Sequence, residues 1–433
     1  MDAAVRADPH NPRHVGTVTP PYPRWPQRVM HTAQPPERAT SWISRGLESL
    51  QAELARRAAA VAPVSAPGKA GDADYDVVIV GSGYGGAVAA DRLSARCHAD
   101  GSRLRIAVLE RGREYLRGAF PSSLADVGGH VRFTTHGGGR ERGRLESMFD
   151  LRLGQDMSVL VANGVGGGSL INAGVMLFPG AEVFAEPPWP RALDLADLRQ
   201  REQRLRFELG AAQADGSDNR LPPEAAVARR VAMRRIDPAG FHEVPLSIAQ
   251  HGGHTIANVA LEACIHCGDC ASGCNHGAKN SLDLNLLRRA ERRGVAIFSG
   301  ATVSRLAKAE PGPGWVLDVW HTDLALRRRM AGPLKLRARR VVLAAGTLGS
   351  TELLLRSSSK QLKFSALLGR RFSGNGDLLA ALHDTGVAMN AVANEAQQPS
   401  ARRIGPTISG MLDWRAGARA APGETGAACL VQD

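Results

Sequence analysis

The fold of this chain is decided by the stretch Tyr75-Asp76-Val77-Val78-Ile79-Val80-Gly81-Ser82-Gly83-Tyr84-Gly85-Gly86. A run typical of a buried strand leads directly into a glycine loop, and a helix-forming run follows over residues 87–94. In this spacing Gly81 makes a tight turn, Gly83 lets backbone approach a pyrophosphate, and Gly86 lets the helix pack close to the strand. Gly85 belongs to the same loop, and the helix N-terminus offers free N–H groups to phosphates.

A second strand-like run, residues 104–109, ends in Glu110. A carboxylate at the end of this strand can accept a hydrogen bond from a ribose hydroxyl, and it follows the glycine loop by roughly the 20 residues that such sites use. A glycine pattern alone would fit a simple turn. The strand, helix, second strand and terminal acid together predict a βαβ nucleotide-binding unit over residues 75–110.

The composition is that of an ordinary globular protein, with 43% hydrophobic and 22% charged residues. The net charge of +12 comes mainly from arginines spread along the chain. No nucleic-acid recognition motif accompanies them, so we expect no nucleic-acid binding. No window reaches the ~20 apolar residues of a membrane span. The N-terminus has no signal-peptide pattern, and we therefore expect a cytoplasmic protein.

Three further segments carry expectations about structure. Residues 41–61 repeat leucine and isoleucine at helical spacing and predict one amphipathic helix, which docks on the body of the protein, pairs with a partner helix or touches a membrane surface. Residues 128–144, rich in glycine and charge, are expected to form a mobile loop. A third segment predicts a helix that begins with Ser281 as its N-cap and continues to Arg293.

Five motifs occur in a fixed order along residues 74–377. They are VVIVGSGYGGAVAADRL, VLERGREY, GVGGGSLINAGVM, AAGTLGSTELLLRS and FSGNGD. In this order the chain resembles the glucose–methanol–choline (GMC) family of flavin oxidoreductases, and within it the cholesterol-oxidase-like branch. The resemblance implies an α/β fold with a Rossmann-type FAD-binding domain and a substrate domain whose antiparallel sheet is incomplete here.

The resemblance also implies a division of the chain into segments. We predict an N-terminal extension over residues 1–73, the FAD-binding domain over 74–185 and 257–377, a substrate or cap segment over 186–256, and the start of the substrate domain over 378–433.

The resemblance implies which residues surround FAD. These residues are Gly81, Gly83, Gly85, Gly86, Glu110, Gly167, Gly168, Asn172, Ala173, Gly174, Val303, Gly346, Asn375 and Asp377. The first four would line the pyrophosphate and Glu110 would hold the adenosine ribose. Val303 would bond adenine through its backbone, and residues 167–174 would run along the flavin ring. Gly346 would make a second contact to the dinucleotide, and residues 375–377 would mark the return to the substrate domain.

The activity implied is FAD-dependent oxidation of an alcohol, with hydride transfer to the flavin and a sterol as the leading substrate, hence a place in steroid metabolism. The electron acceptor would be oxygen or another protein. The family's catalytic pair, a late His with a second His or Asn, has no counterpart in this sequence. The sterol branch also carries a catalytic carboxylate on a substrate-domain strand, and Asp433 is the candidate for it. The chain therefore looks truncated and is expected to turn over little or no alcohol. The alternatives are a non-catalytic flavin-fold fragment and an electron-transfer flavin/iron–sulfur subunit.

Four cysteines crowd into one short segment as C-x2-C-x2-C-x3-C. They are Cys264, Cys267, Cys270 and Cys274. This spacing matches the bacterial ferredoxin run, although Asn275 stands where ferredoxins have proline. Structural zinc sites usually pair two knuckles across a longer loop, yet zinc remains an alternative. An iron–sulfur cluster, zinc and reduced thiols are therefore the three possibilities, and a cluster would favour a dehydrogenase over an oxidase.

Overall fold

The computed structural model describes residues 42–60, 73–135, 141–184, 189–190, 192–212, 219–221, 226–310, 312–374, 404–415 and 429–433. Most of the N-terminal extension lies outside these ranges, and so do Asn375 and Asp377 of the FSGNGD motif.

The described residues form sixteen strands. They are β1 (Arg45–Gly46), β2 (Tyr75–Val80), β3 (Ile106–Leu109), β4 (Val131–Thr135), β5 (Glu141–Arg142), β6 (Phe149–Leu153), β7 (Ser158–Ala162), β8 (Phe241–His242), β9 (Gly253–His254), β10 (Ala260–Leu261), β11 (Ala296–Ser299), β12 (Ala301–Lys308), β13 (Trp315–His321), β14 (Leu334–Leu343), β15 (Met411–Asp413) and β16 (Leu430–Gln432).

Nine α-helices lie between these strands in the same described residues. They are α1 (Leu47–Ala60), α2 (Tyr84–Ser94), α3 (Leu124–Gly129), α4 (Ala181–Phe184), α5 (Leu195–Glu208), α6 (Val227–Ile236), α7 (Leu286–Arg292), α8 (Leu324–Arg328) and α9 (Gly346–Ser357).

The largest sheet has the strand order β1-β11-β3-β2-β14-β13-β12. Its first five strands, from β1 to β14, are parallel. Strand β14 then pairs with β13, and β13 with β12, as an antiparallel meander. Strands in a parallel sheet are buried on both faces, which explains why β2 and β3 are apolar almost throughout. The α/β fold with a Rossmann-type sheet, predicted from the sequence, is confirmed.

The two faces of this sheet have different covers. On one face, alternate residues of β2, β3 and β11 pack against α2 and α7. On the other face, the intervening residues, such as Val78 and Phe298, pack against α1 and the meander β12–β14. The alternation follows from the two-residue period of a strand. The glycine loop after β2 is thus anchored by a core on both sides of the sheet.

Smaller sheets surround this core. Strands β5, β4, β6 and β7 form a four-stranded mixed sheet, and β9 pairs with β10. Strand β15 pairs with β16 on one side and with β8 on the other. This antiparallel sheet joins the segment predicted as a cap (186–256) to the last segment of the chain.

Two sequence predictions of local structure are wrong. Residues 128–144 are not simply a mobile loop, because they contain the end of α3 and strands β4 and β5; β4 pairs in parallel with β6. Helix α7 begins at Leu286, with the Asn285 side chain accepting from the Leu286 N–H, and not after Ser281. Residues 281–285 instead make turns, in which Leu282 N donates to Ser169 Oγ at 3.1 Å and Asp283 lies near Gly166. Sequence periodicity cannot reveal these contacts.

The predicted helix over residues 41–61 exists over a shorter range. Arg45 and Gly46 extend the parallel sheet as β1, and the helix then begins at Leu47. Its leucines are buried, with Leu47 1% and Leu50 0% exposed. The apolar stripe therefore docks on the core, the first of the three alternatives. The Glu114 carboxylate holds the chain just before β1, because it accepts from the backbone N–H groups of residues 42–44.

Candidate functional site

The parallel strands β2, β3 and β14 end side by side. Val80 pairs with Leu109 on one side and with Leu343 on the other. The three following loops therefore meet at the carboxyl edge of the sheet, where open α/β sheets bind their ligands. This edge is the candidate site.

Two glycines of the loop after β2 have no space for a side chain. A Cβ on Gly81, whose φ is +98°, would lie 2.4 Å from the Ala344 carbonyl oxygen. A Cβ on Gly86 would lie 2.0 Å from the Gly81 carbonyl oxygen. These contacts supply the physical reason for two of the glycines: one for the turn against β14, the other for close packing of α2. Gly85 is also packed against this strand end, since its Cβ would lie 3.8 Å from that of Ala344.

A second glycine segment touches the first. Residues Gly167–Leu170 form a 3₁₀ turn, and a Cβ on Gly167 would lie 2.6 Å from Gly83 Cα. Ser82 joins the two segments, because its Oγ accepts from Gly166 N at 3.1 Å and lies 3.3 Å from Gly164 O. Two backbone surfaces without side chains therefore face each other here. Ser82 was not singled out from the sequence, although it stands inside the fingerprint.

Glu110 lies at the end of β3, as the sequence predicted. Its carboxylate is buried and accepts from Ser82 N at 3.0 Å, Ser82 Oγ at 2.6 Å and Gly112 N at 2.8 Å. A carboxylate has about four positions that can accept a hydrogen bond. These three bonds therefore fix the orientation of Glu110 without occupying all of its acceptor positions. The ribose-binding role remains a prediction.

The segment from Gly168 to Gly174 continues away from the loop. Asn172 donates from Nδ2 to the Tyr84 hydroxyl at 2.7 Å and accepts from Gly174 N at 3.2 Å. Burial raises the pKa of Tyr84. Gly168 has open space where a Cβ would be, and Gly174 has a φ of +80°. Ala173 lies between two residues that are held by these bonds, so the backbone around it is fixed.

A buried lysine ties this segment to the cysteines. Lys279 is 3% exposed, and its Nζ donates to Leu170 O at 3.0 Å and to Cys270 O at 2.9 Å. It also donates to Asn172 O. Burial lowers the pKa of Lys279 to about 8. The motif GVGGGSLINAGVM and the cysteine run, a hundred residues apart, are thus joined by one ammonium group. The sequence shows that Lys279 follows the cysteines, but it does not show which backbone carbonyls its ammonium group binds.

A buried acid faces the same glycines. Asp283 is 6% exposed, and a Cβ on Gly166 would lie 3.5 Å from its Oδ1. Among the described residues, Oδ1 has no hydrogen-bond partner. Burial raises the pKa of Asp283 to about 6, although a hydrogen bond from Ser281 opposes the shift. No motif in the sequence points to this residue.

All four clustered cysteines line one cavity of about 20 Å³. Burial raises the pKa of Cys264 to about 12 and raises those of Cys267 and Cys270 as well. All four thiols, Cys274 included, are unbridged. Within the part of the chain that the structure describes, no group of three or more His, Cys, Asp or Glu side chains is arranged to hold a metal ion. The four thiols therefore line the same cavity, but they are not arranged as the ligands of a metal ion.

Three predicted site residues lie apart from these glycines. Gly346 begins α9 directly after β14, with a φ of +70°, so it is at the same edge of the sheet. Val303 lies in β12 opposite Val319, beside a register shift. Asp433 lies in the small antiparallel sheet, where its carboxylate accepts from Ser409 N at 2.6 Å and Gly410 N at 2.8 Å. It also pairs with a buried arginine, Arg229, at 3.3 Å, and its catalytic role remains a prediction.

The parallel sheet, the glycine turn and the acid at the end of the second strand define a dinucleotide-binding fold of the Rossmann type. The chain matches the model of the GMC oxidoreductase family over residues 75–373. The protein belongs to the GMC oxidoreductase family, and the family resemblance inferred from its motifs is confirmed.

The chain is also similar to individual known proteins. The chain is 30% identical over 304 residues to a cholesterol oxidase of Mycobacterium tuberculosis, which covers 65% of this chain and 48% of that protein. It is 26% identical over 327 residues to a cholesterol oxidase of Acinetobacter baumannii, which covers 70% and 54%. A solved fungal aryl-alcohol oxidase matches 66% of this chain and 48% of that one, with 16% identity and a TM-score of 0.40. The chain thus spans about half the length of the curated relatives it matches.

Helices long and apolar enough to cross a membrane are absent from the residues that the structure describes.

Proposed function

We propose that this chain forms the FAD-binding part of an alcohol oxidoreductase and that its two glycine segments enclose the cofactor. The observation that carries the proposal is the contact of Gly83 with Gly167, at the edge where three parallel strands end. Flat and phosphorylated cofactors need such bare backbone, because their rings and phosphates must come close to N–H groups. Membership of the GMC oxidoreductase family supports this choice of cofactor and chemistry.

The chain's own residues would do the following. The N-terminus of α2 and the loop 81–86 would hold the pyrophosphate, and Glu110 would accept from the ribose. The segment 167–174 would lie along the flavin ring, kept in place by Lys279 and by the Asn172–Tyr84 hydrogen bond. FAD would supply the hydride acceptor for the alcohol carbon. No residue of this site is assigned to proton removal. Asp433 is proposed as the catalytic carboxylate that the sterol branch carries on a substrate-domain strand.

A sterol alcohol is the substrate we propose, with a 3β-hydroxysteroid first. The similarity to the two cholesterol oxidases supports this choice. Oxygen or a separate electron carrier would complete the reaction.

The proposed alcohol chemistry uses none of the four cysteines that line the cavity. Among the described residues, the thiols are not arranged as the ligands of a metal ion. We therefore assign no electron-transfer step to iron. The C-x2-C-x2-C-x3-C spacing still supports testing for an iron–sulfur cluster, with zinc and reduced thiols as the alternatives.

The test is FAD binding by the Gly83→Ala variant. A methyl group here would lie 3.9 Å from Gly167 Cα, an ordinary contact, and the φ of Gly83 is −68°, which alanine adopts freely. The protein should therefore keep its stability while the methyl fills the space where the pyrophosphate must approach. We expect FAD affinity, measured by flavin fluorescence, to fall at least tenfold.

Gly128→Ala is the matched control, because a Cβ at Gly128 meets nothing within 4 Å. It should bind FAD as the unmodified chain does. Unchanged FAD binding by Gly83→Ala would refute the proposed site. An absorption spectrum and iron assay of protein purified without oxygen would show whether flavin and iron are both present. A colourless, iron-free protein that also fails to take up added FAD would favour the fragment alternative.

A further inference from the structure

An open cleft of about 510 Å³ lies between helix α1 and the connection from β13 to β14. Its wall consists of Gln51 from α1, His321 at the end of β13, Leu326 from α8 and residues 329–334, and we call it the α1–α8 cleft. The volume is in the range of pockets that hold small molecules. None of the residues proposed to bind FAD lines it, so the cofactor does not account for this cleft.

The histidine in this wall is buried without a partner. Only 8% of His321 is exposed. Within the part of the chain that the structure describes, its ring forms no hydrogen bond or ion pair, whereas the hydroxyl of the next residue, Thr322, donates to Arg111 O at 2.6 Å. A buried polar group without a hydrogen bond costs free energy. The ring lies in the wall of the cleft, so a molecule in the cleft can supply the partner that the chain does not.

The cleft also carries an unpaired positive charge. Arg329 is exposed, and among the described residues its guanidinium has no acidic partner. None of the described side chains that line the cleft is acidic. Asp323, the only acid between β13 and β14, caps α8 by accepting from Leu326 N at 2.9 Å. Arg329 and His321 are therefore both available to donate to an anion.

Apolar side chains make up much of the remaining wall. Leu326, Met330, Pro333 and Leu334 line the cleft together with the polar groups. A planar guanidinium binds the two oxygens of a carboxylate or phosphate as a fork. Apolar walls bind a hydrocarbon chain in proportion to the area that they remove from water. The cleft therefore suits a molecule with one anionic end and one apolar end.

We propose that the α1–α8 cleft binds a small organic anion with a short hydrocarbon chain. Its carboxylate or phosphate group accepts from Arg329 and His321, with the Gln51 amide beside them, and its chain lies against Met330 and Pro333. Neither glycine segment contributes to this cleft. The inference therefore does not depend on FAD or on alcohol chemistry.

The test is calorimetric titration of the purified chain with octanoate and with octyl phosphate. Octanol and inorganic phosphate serve as comparison ligands, because each carries only one half of the proposed ligand. We expect at least one of the two complete ligands to bind more tightly than either half. The tighter of the two identifies the anionic group that the cleft prefers.

Two variants test the assigned donors. Arg329→Gln should lower the affinity for the anionic ligand at least about tenfold, because a hydrogen bond to a charged group is lost. His321→Phe keeps an aromatic ring of similar size and removes both ring nitrogens, and it should lower the affinity about threefold to tenfold.

Arg328→Gln is the matched control. Arg328 is the exposed neighbour of Arg329, but it does not line the cleft. The control changes the net charge as Arg329→Gln does and should leave ligand binding intact. Both arginines are exposed, so circular dichroism should show the same fold in the two variants.

Four outcomes would overturn the proposal. The first is that neither octanoate nor octyl phosphate binds at millimolar concentration. The second is an equal loss of affinity in Arg328→Gln, which would mean that net charge alone is sensed. The third is that octanol binds as tightly as the anions, which would indicate an apolar patch only. The fourth is competition by saturating FAD, which would make the cleft part of the cofactor site. A chain that binds octanoate but not FAD would contradict the proposed function and leave this inference intact.

Discussion

Because the carboxylate of Asp283 is buried, we expect a variant without its charge to be more stable than the unmodified chain. The perturbation is Asp283→Asn, which keeps the shape of the side chain and removes its charge. The carboxylate is buried beside Gly166, and Oδ1 has no partner within the described structure. A buried charge without full compensation costs free energy, so its removal should stabilise the fold.

The size of the effect follows from the pKa. Burial raises the pKa of Asp283 from its usual 3.8 to about 6. With about 1.4 kcal/mol for each pKa unit, the ionised form costs the folded state about 3 kcal/mol. The folded state binds this proton more tightly than the unfolded state does, so stability falls as pH rises from about 4 to about 6. Below this window the acid is neutral in both states, and above it the penalty is complete.

The assay is urea unfolding at pH 4.5 and pH 7.5. At pH 7.5 Asp283→Asn should gain about 3 kcal/mol in the free energy of unfolding, and at pH 4.5 the gain should be less than half as large. Asp156, an exposed acid, supplies the control: Asp156→Asn should change little at either pH. A loss of stability at pH 7.5, or an equal gain at both pH values, would refute the reasoning.

Two further variants test the contacts around the site. Lys279→Met leaves three backbone carbonyls without their charged donor; we expect a loss of about 3–5 kcal/mol in urea unfolding, and a change below 1 kcal/mol would contradict the bridging role. Glu114→Gln removes the charge that accepts from residues 42–44; the loss should be about 1–3 kcal/mol. Limited proteolysis should then cut before α1 sooner than in the unmodified chain, and an unchanged cleavage rate would show that the leucines alone hold this segment.

The core of the fold could be predicted from local sequence. The strand that ends at Val80, the loop to Gly86 and the acid at Glu110 lie close together in the chain, so their spacing carries the geometry. The contact between Gly83 and Gly167 could be expected only from the family resemblance, because nothing local relates two segments so far apart. The structure adds a steric reason on one side, since a Cβ on Gly167 would lie 2.6 Å from Gly83 Cα.

The predictions that failed depend on distant partners. Residues 128–144 looked like a loop because glycine and charge suppress periodicity, yet β4 gains its order by pairing with β6. The predicted start of α7 was misplaced because Ser281 is a good N-cap in isolation, whereas Asn285 takes this role in the fold. Lys279 and Asp283 were missed as site residues because a buried charge is defined by its surroundings, which a single sequence does not display.

Strand β1 has a practical consequence for handling this protein. It covers the outer side of β11, pairing Arg45 with Phe298 and Gly46 with Ser299. A recombinant version trimmed to begin at Tyr75, where the family match begins, would uncover this hydrogen-bonding edge and the part of the apolar core that α1 covers. Bare edges of this kind recruit other chains and precipitate. Expression boundaries for this protein should therefore be drawn before Trp42, even though the family motifs start thirty residues later.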